Sequence, residues 1–385
     1  MVVQHNLQAM NSNRMLGITT SAQGKTTEKL SSGYKINRAA DDAAGLSISE
    51  KMRKQIRGLD QASNNAQDGV SAVQTAEGAL AEVHDMLQRM NELAVQAANG
   101  TNSTSDRQSI QNEITQLTTE IDRVAETTKF NETYLLKGTT DKEFNTKTVT
   151  LKPHDAGLKG SMVDNENGTF TFTVPELAAS DKVMIGGREY TITEDDEDEP
   201  NFKITADTAY GKMVDELKEA NAIGDMDEAS DVTGSGPDFT ITPGAATVSK
   251  ALTFNLHVGA DADMTNKINV NIETMNSSYL GIQKLDIVDG SGNKATYAID
   301  AIADAIQKVS DQRSALGAVQ NRLEHTIKNL DNVVENTTAA ESQIRDTDMA
   351  ETMVQYTKNN ILAQAGQSML AQANQSTQGV LSLLG

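Results

Sequence analysis

Two segments, one toward each end of the chain, carry a repeat of apolar and small residues that is typical of long helices. In the first segment these residues recur mainly in steps of three and four, with Gln55 as a polar interruption: Ile48, Met52, Leu59, Ala62, Ala66, Gly69, Val73, Ala76, Leu80, Val83, Leu87, Met90, Ala94 and Ala97. A 3.5-residue repeat sustained over about seven heptads predicts a coiled-coil seam. A shorter repeat follows at Ile110, Ile114, Leu117, Ile121 and Val124, and we predict Ser105 or Asp106 as its N-cap.

The second segment matches the first: Ile302, Ala305, Val309, Gln312, Leu316, Val319, Leu323, Thr326, Leu330, Val333, Thr337, Ala340 and Ile344. No proline or aromatic residue interrupts residues 298–340. Because neither seam can be buried alone, we expect the N-terminal and C-terminal helices to pack together, with the middle of the chain projecting as an insert. A generic helical bundle would explain the pattern equally well.

Both ends of the chain carry apolar residues at helical spacing, and the C-terminal end is also nearly free of charge. Residues 352–385 contain one charged side chain, Lys358. An apolar stripe at helical spacing runs through Val354, Ile361, Ala365, Met369, Ala373, Val380 and Leu384. Such a helix is poorly suited to free solution, so we interpret both ends as assembly surfaces rather than as an ordinary bundle core. The candidate assembly residues are Val3, Leu7, Met10, Val354, Ile361, Ala365, Met369 and Leu384.

The middle of the chain has the alternating pattern of strands. Residues 148–151, 169–174 and 189–193 alternate with period two, and turn signals stand at residues 167–168 and 186–187. We predict one helix at residues 208–222, a loop at residues 224–244, and a hairpin formed by residues 252–258 and 268–272. The fold class is therefore mainly α with a β-rich insert.

Charge and proline separate this insert from the helical arms. The 385 residues carry a net charge of −21, and all five prolines lie between Pro153 and Pro243. Residues 141–250 hold 10 basic and 23 acidic side chains, a net charge of −13 that leaves −8 for the rest. The acidity argues against a nucleic-acid partner. No apolar run reaches the roughly 20 residues of a membrane span, so we expect no membrane association.

Catalytic and metal-binding signals are weak. The absence of cysteine excludes disulfides, Cys-ligated zinc and Cys nucleophiles. The five histidines are dispersed without the His-Glu-x-x-His spacing, and the acidic run 194–199 lacks the spacing of a calcium-binding EF-hand. We therefore predict no catalytic residue, no metal and no cofactor, and we expect that the protein is not an enzyme.

The two arms closely resemble bacterial flagellin. In the first arm the matching motifs lie at residues 31–37, 41–46, 87–96 and 109–114, and in the second at residues 316–322, 361–366, 370–374 and 380–384. The resemblance covers roughly residues 1–138 and 251–385, whereas residues 139–250 match no family that we can name.

The resemblance implies a structural subunit that polymerises into the flagellar filament for motility. Such a subunit is extracellular and leaves the cell through the flagellar secretion apparatus without a cleaved signal peptide, and the start of this sequence lacks the pattern of one. By resemblance, residues 1–41 and 346–385 form the inner filament core, residues 42–138 and 251–345 a coiled-coil shell, and residues 139–250 a solvent-facing domain. The implied partners are further copies of the chain, an export chaperone, and the cap and hook-junction proteins. A hook–filament junction protein is the alternative, and an enzyme housed in the insert a more distant one.

The resemblance also implies a host partner, the Toll-like flagellin receptor. Carried over by motif, its binding residues are Gln88, Arg89 and Leu93 on the long helix, with Ile110 and Glu113 on the shorter one. Two positions depart from the family pattern: Asn91 and Leu117 stand where arginine is found in other members. The strength of receptor signalling is left open by these departures.

Overall fold

The computed structural model describes residues 6–146, 158–165, 169–194, 202–223, 230–234, 236–289 and 292–382. The chain divides into two compact units. The first comprises Met1–Asn65, Val258–Asn266 and Thr326–Gly385, and the second comprises Ala66–His257 and Lys267–His325. The predicted strand at 148–151 and the predicted turn at 167–168 lie outside the described residues.

Long helices account for most of the chain, and this confirms the predicted fold class. The helices are α1 (Leu7–Ser32), α2 (Ala43–Ala98), α3 (Thr104–Thr127), α4 (Ala206–Asn221), α5 (Ser277–Leu280), α6 (Asn293–Arg345) and α7 (Met349–Ser382). Helix α4 begins two residues before the predicted start because the Thr205 hydroxyl accepts from the Thr208 backbone amide and caps it there.

The predicted seams form the helical core of the second unit. Leu80, Val83 and Leu87 of α2 are fully buried there, as are Val309 and Leu316 of α6. The seam is less complete in the first unit, where Ile48 is 46% exposed and Val333 is 40% exposed. The heptad repeat therefore predicts burial best where α3 and the β-rich insert contribute to the same core.

The strands form several small sheets in the second unit. They are β1 (Lys129–Phe130), β2 (Thr133–Tyr134), β3 (Lys142–Thr146), β4 (Ser161–Asp164), β5 (Phe170–Thr173), β6 (Lys182–Ile185), β7 (Arg188–Ile192), β8 (Lys203–Ile204), β9 (Asp231–Thr233), β10 (Asp238–Thr242), β11 (Ala245–Ser249), β12 (Leu252–His257) and β13 (Lys267–Ile272). The largest sheet has the order β4-β5-β10-β9, β6-β7-β8 form a second, and β1-β2, β3-β11 and β12-β13 are antiparallel pairs.

Two of the predicted turn features are confirmed in this region. Residues 252–257 pair with residues 267–272 as the predicted antiparallel hairpin. Gly186 and Gly187 connect β6 to β7 with φ of 53° and 75°, the left-handed values that two-residue hairpin turns require.

The prediction of a loop over residues 224–244 is wrong, because β9 and β10 lie within it. Phe239 and Ile241 alternate with polar residues and are fully buried, and Phe239 pairs with Phe172 across the sheet with ring centroids 6.2 Å apart. Glycine, proline and aspartate make up ten of the 21 residues of this segment and obscure a short period-two pattern that is present in the sequence.

The predicted N-cap of α3 is also wrong. Ser103 caps this helix: its hydroxyl oxygen accepts from the Asp106 amide at 3.2 Å, and the Asp106 carboxylate accepts from the Ser103 amide at 3.0 Å. This reciprocal pair is a capping box, so Asp106 occupies its third helical position rather than the cap itself. The Ser103 hydroxyl also donates to the Asp106 carboxylate at 2.8 Å, and this bond, followed by that from the Ser103 amide, lowers the pKa of the Asp106 carboxyl.

A buried arginine holds the turn between α2 and α3. The Arg107 side chain is 2% exposed and donates to three carbonyl oxygens: Nε to Ala97 at 2.8 Å, Nη1 to Asp289 at 3.0 Å and Nη2 to Asn99 at 3.3 Å. These carbonyls include ones left without helical partners at the end of α2, so the guanidinium satisfies them and places its charge at a favourable helix end.

The described part of the chain has neither a membrane-spanning helix nor a metal-binding cluster of side chains. None of its helices combines the length and the apolarity needed to cross a membrane. Nor does any group of three or more His, Asp or Glu side chains come together there in a way that could hold a metal ion.

Candidate assembly and receptor-binding surfaces

The two terminal helices of the first unit pack against each other in antiparallel orientation. Asn6 caps α1 by accepting from the Ala9 amide at 3.0 Å, and its side-chain amide donates to the Ala373 carbonyl of α7 at 3.1 Å. Further along, Leu16 of α1 lies against Gly366 of α7. The predicted pairing of the two ends is therefore confirmed.

Mostly small and polar side chains line the contact between these helices, with Leu16, Tyr356 and Leu370 as larger members. Along α7 the buried and half-buried positions recur mainly in steps of three and four residues: Thr352, Tyr356, Asn359, Asn360, Ala363, Gly366, Leu370 and Ala373. On α1, Thr26 is buried, and its hydroxyl donates to helix carbonyls at Gln23 and Ala22. Small residues let two helix backbones approach closely, but they bury little apolar area.

Apart from residues such as Leu16 and Leu370, most large apolar side chains of the two helices lie outside this contact. Leu7 is 72% exposed, Met10 65%, Val354 69%, Ile361 61% and Met369 56%, and Ala365 is exposed as well. These are six of the eight candidate assembly residues, while Val3 and Leu384 lie outside the described residues. Ala373 belonged to the predicted apolar stripe but is buried in the helix pair.

One part of the exposed face of α7 is concave. Met353, Val354, Thr357, Lys358, Ile361 and Leu362 line a groove of about 530 Å³. Full burial of one Met, Val, Ile or Leu side chain in a contact stabilises an association by about 1.5–3 kcal/mol. Exposed apolar surface of this extent is typical of an interaction site rather than of a solvated helix.

A two-stranded joint connects the helix pair to the neighbouring helices of the first unit. The Lys35 amide donates to the Arg345 carbonyl at 2.7 Å, and the Thr347 amide donates to the Gly33 carbonyl at 3.0 Å. The Arg345 guanidinium lies 4.8 Å from the centroid of the Tyr34 ring and also bonds to Glu50 at 3.1 Å. Sequence reasoning missed Arg345, since nothing in the pattern at a helix end indicates a long-range partner.

The five candidate receptor-binding residues lie on α2 and α3 in the second unit, and three of them are exposed. Arg89 connects the helices: its Nε donates to Glu113 at 3.0 Å and its Nη1 to Glu92 at 3.1 Å. The hydrogen bond that Arg89 donates to Glu113, followed by the one that it donates to Glu92, raises the pKa of the Arg89 guanidinium. Gln88 lies within hydrogen-bond distance of the His84 ring at 2.9 Å.

The other two candidates lie in the core. Leu93 is 2% exposed and Ile110 is 8% exposed, so both pack in the hydrophobic core beneath the exposed faces of α2 and α3. The accessible part of the candidate surface is therefore polar and consists of Gln88, Arg89 and Glu113, with Glu92 as a neighbour that motif transfer did not include.

Paired terminal helices with exposed apolar outer faces are typical of the class of proteins that associate through such surfaces. Comparisons with known proteins identify the family. The family model "Bacterial flagellin N-terminal helical region" matches residues 3–141, and "Bacterial flagellin C-terminal helical region" matches residues 299–384. The chain is 43% identical to a flagellin of Clostridium tyrobutyricum, over 98% of this chain and all of the relative. It is 40% identical to a flagellin of Bacillus subtilis over the full length of both chains.

Two solved structures are also similar to this chain, at lower identity. The crystal structure of Bacillus cereus flagellin is 20% identical and covers 69% of this chain and 88% of its own, with a TM-score of 0.35. A flagellar hook-associated protein 3 from Legionella pneumophila is 14% identical and covers 77% and 98%, with a TM-score of 0.41. The chain belongs to the bacterial flagellin family, and it is a subunit of the flagellar filament.

Proposed function

We propose that the exposed apolar faces of α1 and α7 are the surfaces through which copies of this chain join the filament. The observation that carries the proposal is the separation of two faces on α7: mostly small and polar residues against α1, and most of the large apolar residues toward solvent. Apolar side chains left exposed in the single chain gain the most from burial when copies associate.

Two matched valines test this surface. Val354 on α7 is 69% exposed and Val163 on β4 is 57% exposed. We expect Val354→Asp to lower the rate of seeded elongation by about tenfold or more, because it replaces apolar contact with a charge. Val163→Asp makes the same chemical change away from the terminal helices and is expected to elongate normally.

The assay adds filament seeds to purified full-length monomer and follows light scattering. Circular dichroism of each monomer checks that the helices are intact. Equal elongation by the two variants would contradict the assignment of this face.

The chain is also proposed as a ligand of the Toll-like flagellin receptor through Gln88, Arg89 and Glu113. Arg89 supports this proposal because it presents a planar donor group at an exposed site on two packed helices, and arginine is frequent among residues that dominate binding energies. In this proposal Leu93 and Ile110 act indirectly, by holding the helix faces that carry the polar groups.

A second ion pair on α3 supplies the control for the receptor site. Arg123 pairs with Glu120 and its side chain is 59% exposed, close to the 51% of Arg89. We expect Arg89→Ala to weaken binding to the purified receptor ectodomain by about tenfold or more, whereas Arg123→Ala leaves the dissociation constant unchanged. Exposed ion pairs contribute at most about 1 kcal/mol to stability, so both variants should fold. An unchanged dissociation constant for Arg89→Ala would contradict the proposed receptor-binding site.

The remaining proposals concern export and assembly partners. We propose export through the flagellar secretion apparatus without cleavage of a signal peptide, with an export chaperone and the cap and hook-junction proteins as partners. The exposed apolar face of α7 is an argument for a chaperone partner, because a chaperone would shield this face from solvent before polymerisation. Intact-mass measurement of subunits sheared from cells tests cleavage, and a subunit shortened at its N-terminus would contradict it. The acidic residues 139–250 are proposed as the solvent-facing domain.

A further inference from the structure

Methionine is unusually frequent on the proposed assembly face. Ten large apolar side chains of α1 and α7 are exposed, and five of them are methionines: Met10, Met15, Met349, Met353 and Met369, with exposures of 65, 54, 50, 51 and 56%. In contrast, Met90, Met213 and Met275 are buried in the second unit at 0–1% exposure. The thioethers of the terminal helices are therefore open to solvent in the single chain.

Thioethers are the main sulfur chemistry that this chain offers to an oxidant. The sequence contains 15 methionines and no cysteine, so no thiol competes for a peroxide. Oxidation converts the flexible apolar side chain into a polar sulfoxide, and methionine sulfoxide reductases reverse the change. Methionine is otherwise well suited to an assembly face, since its unbranched side chain adapts to irregular neighbours.

We propose that these five methionines form an oxidation-sensitive modification site that blocks assembly of the free chain. The oxidant is of the hydrogen peroxide class. A sulfur lone pair attacks one peroxide oxygen, the O–O bond breaks, and the sulfur gains that oxygen as a sulfoxide. The sulfur is oxidised by two electrons, and the peroxide is reduced to water. This inference rests on the proposed assembly face of α1 and α7.

The sulfoxide acts against assembly through its oxygen. Addition to a filament would transfer that oxygen from water into an apolar contact, and a buried polar group without a hydrogen bond is costly. Met353, for example, lies in the groove that Val354, Ile361 and Leu362 also line, where Thr357 and Lys358 are the polar side chains that could donate to the oxygen. We expect oxidation of the five sites to lower seeded elongation by about tenfold or more.

The experiment compares three forms of the full-length chain after treatment of the monomer with hydrogen peroxide. The first is the natural sequence. The second carries Met10→Leu, Met15→Leu, Met349→Leu, Met353→Leu and Met369→Leu, which keep side-chain volume close to the original. The control carries Met162→Leu, Met184→Leu and Met264→Leu, at exposed positions away from α1 and α7 with exposures of 36, 44 and 76%. Peptide mass mapping confirms which sulfurs gained oxygen.

We expect peroxide to inhibit elongation of the natural chain and of the control, and to leave the five-leucine variant unaffected. Incubation with methionine sulfoxide reductase should restore elongation of the oxidised natural chain, a readout that does not depend on any variant. Equal inhibition of the five-leucine variant, or full elongation by natural chain oxidised at all five sites, would overturn the inference.

Elongation of the Val354→Asp variant, measured without peroxide, separates this inference from the assembly proposal. If Val354→Asp elongates normally, the assembly face itself is misassigned. If Val354→Asp fails as expected while the oxidised natural chain elongates freely, the face stands and only its sensitivity to oxidation is refuted.

Discussion

The buried Arg107 gives the sharpest test of how this fold is stabilised. We consider Arg107→Met, which keeps most of the aliphatic stem but removes the guanidinium. The change removes the guanidinium donor from the carbonyl oxygens of Ala97, Asn99 and Asp289, of which that of Asn99 still accepts from the Asn102 amide at 3.1 Å. Two of the three bonds are short, at 2.8 and 3.0 Å, and the third at 3.3 Å is weaker.

The magnitude follows from these contacts. A hydrogen bond from a charged group contributes about 1.5–3 kcal/mol, so the two short bonds give about 3–6 kcal/mol before relaxation. Removing the buried charge avoids its own desolvation cost, which offsets part of the loss. We therefore expect Arg107→Met to lower the free energy of unfolding by about 3 kcal/mol.

Guanidinium chloride titration followed by far-ultraviolet circular dichroism measures this change. Arg123→Met is the control on the same helix, because Arg123 is 59% exposed and pairs only with Glu120 among the contacts described. That variant should stay within about 0.5 kcal/mol of the natural chain. If Arg107→Met also stays within that range, the turn between α2 and α3 does not depend on the guanidinium, and the reasoning fails.

Two further predictions concern a glycine and a carboxylate of the second unit. Gly138 has φ of +75°, and a Cβ there would lie 2.6 Å from the Lys250 carbonyl oxygen, so Gly138→Ala should destabilise by more than about 1 kcal/mol. Gly100→Ala is its control, since no atom lies within 4 Å of the added carbon; equal midpoints in thermal unfolding would contradict the argument. The pKa of Asp106 is lowered from 3.8 by Ser103, so its stabilisation is present above 3.8 and is lost as the pH falls through the lower folded value. Acid titration of Ser103→Ala should show a smaller loss of stability below pH 3.8 than the natural chain, and identical titrations would refute the capping role.

Much of the fold is readable from the sequence because its repeats are long. A heptad pattern over many turns leaves little freedom in which side chains are buried, and residues such as Leu80 and Leu316 are buried as predicted. Short elements are harder to predict. Strand β10 has five residues within a glycine-rich stretch, and only its pairing with β5 shows that Phe239 is in a core.

The faces of α7 show why the site was harder to predict than the fold. Periodicity identifies an apolar stripe but not the surface that covers it, because a contact within the chain and a contact between copies produce the same pattern. The structure reveals that α1 covers the mostly small and polar face instead, where Ala363 and Ala373 are buried. Motif transfer has the corresponding weakness, since Leu93 matches the motif but is 2% exposed.

The joint between Gly33–Lys35 and Arg345–Thr347 has a mechanical consequence. Residues 33–42 link α1 to α2, whereas only residues 346–348 link α6 to α7. Each residue extends by at most about 3.6 Å, so under tension the shorter link becomes taut first. The two backbone hydrogen bonds tie the longer link to the shorter one, so that a pulling force is divided between two covalent strands. The pairing of Tyr34 with Asp346 places the load-sharing point at the end of the helix pair.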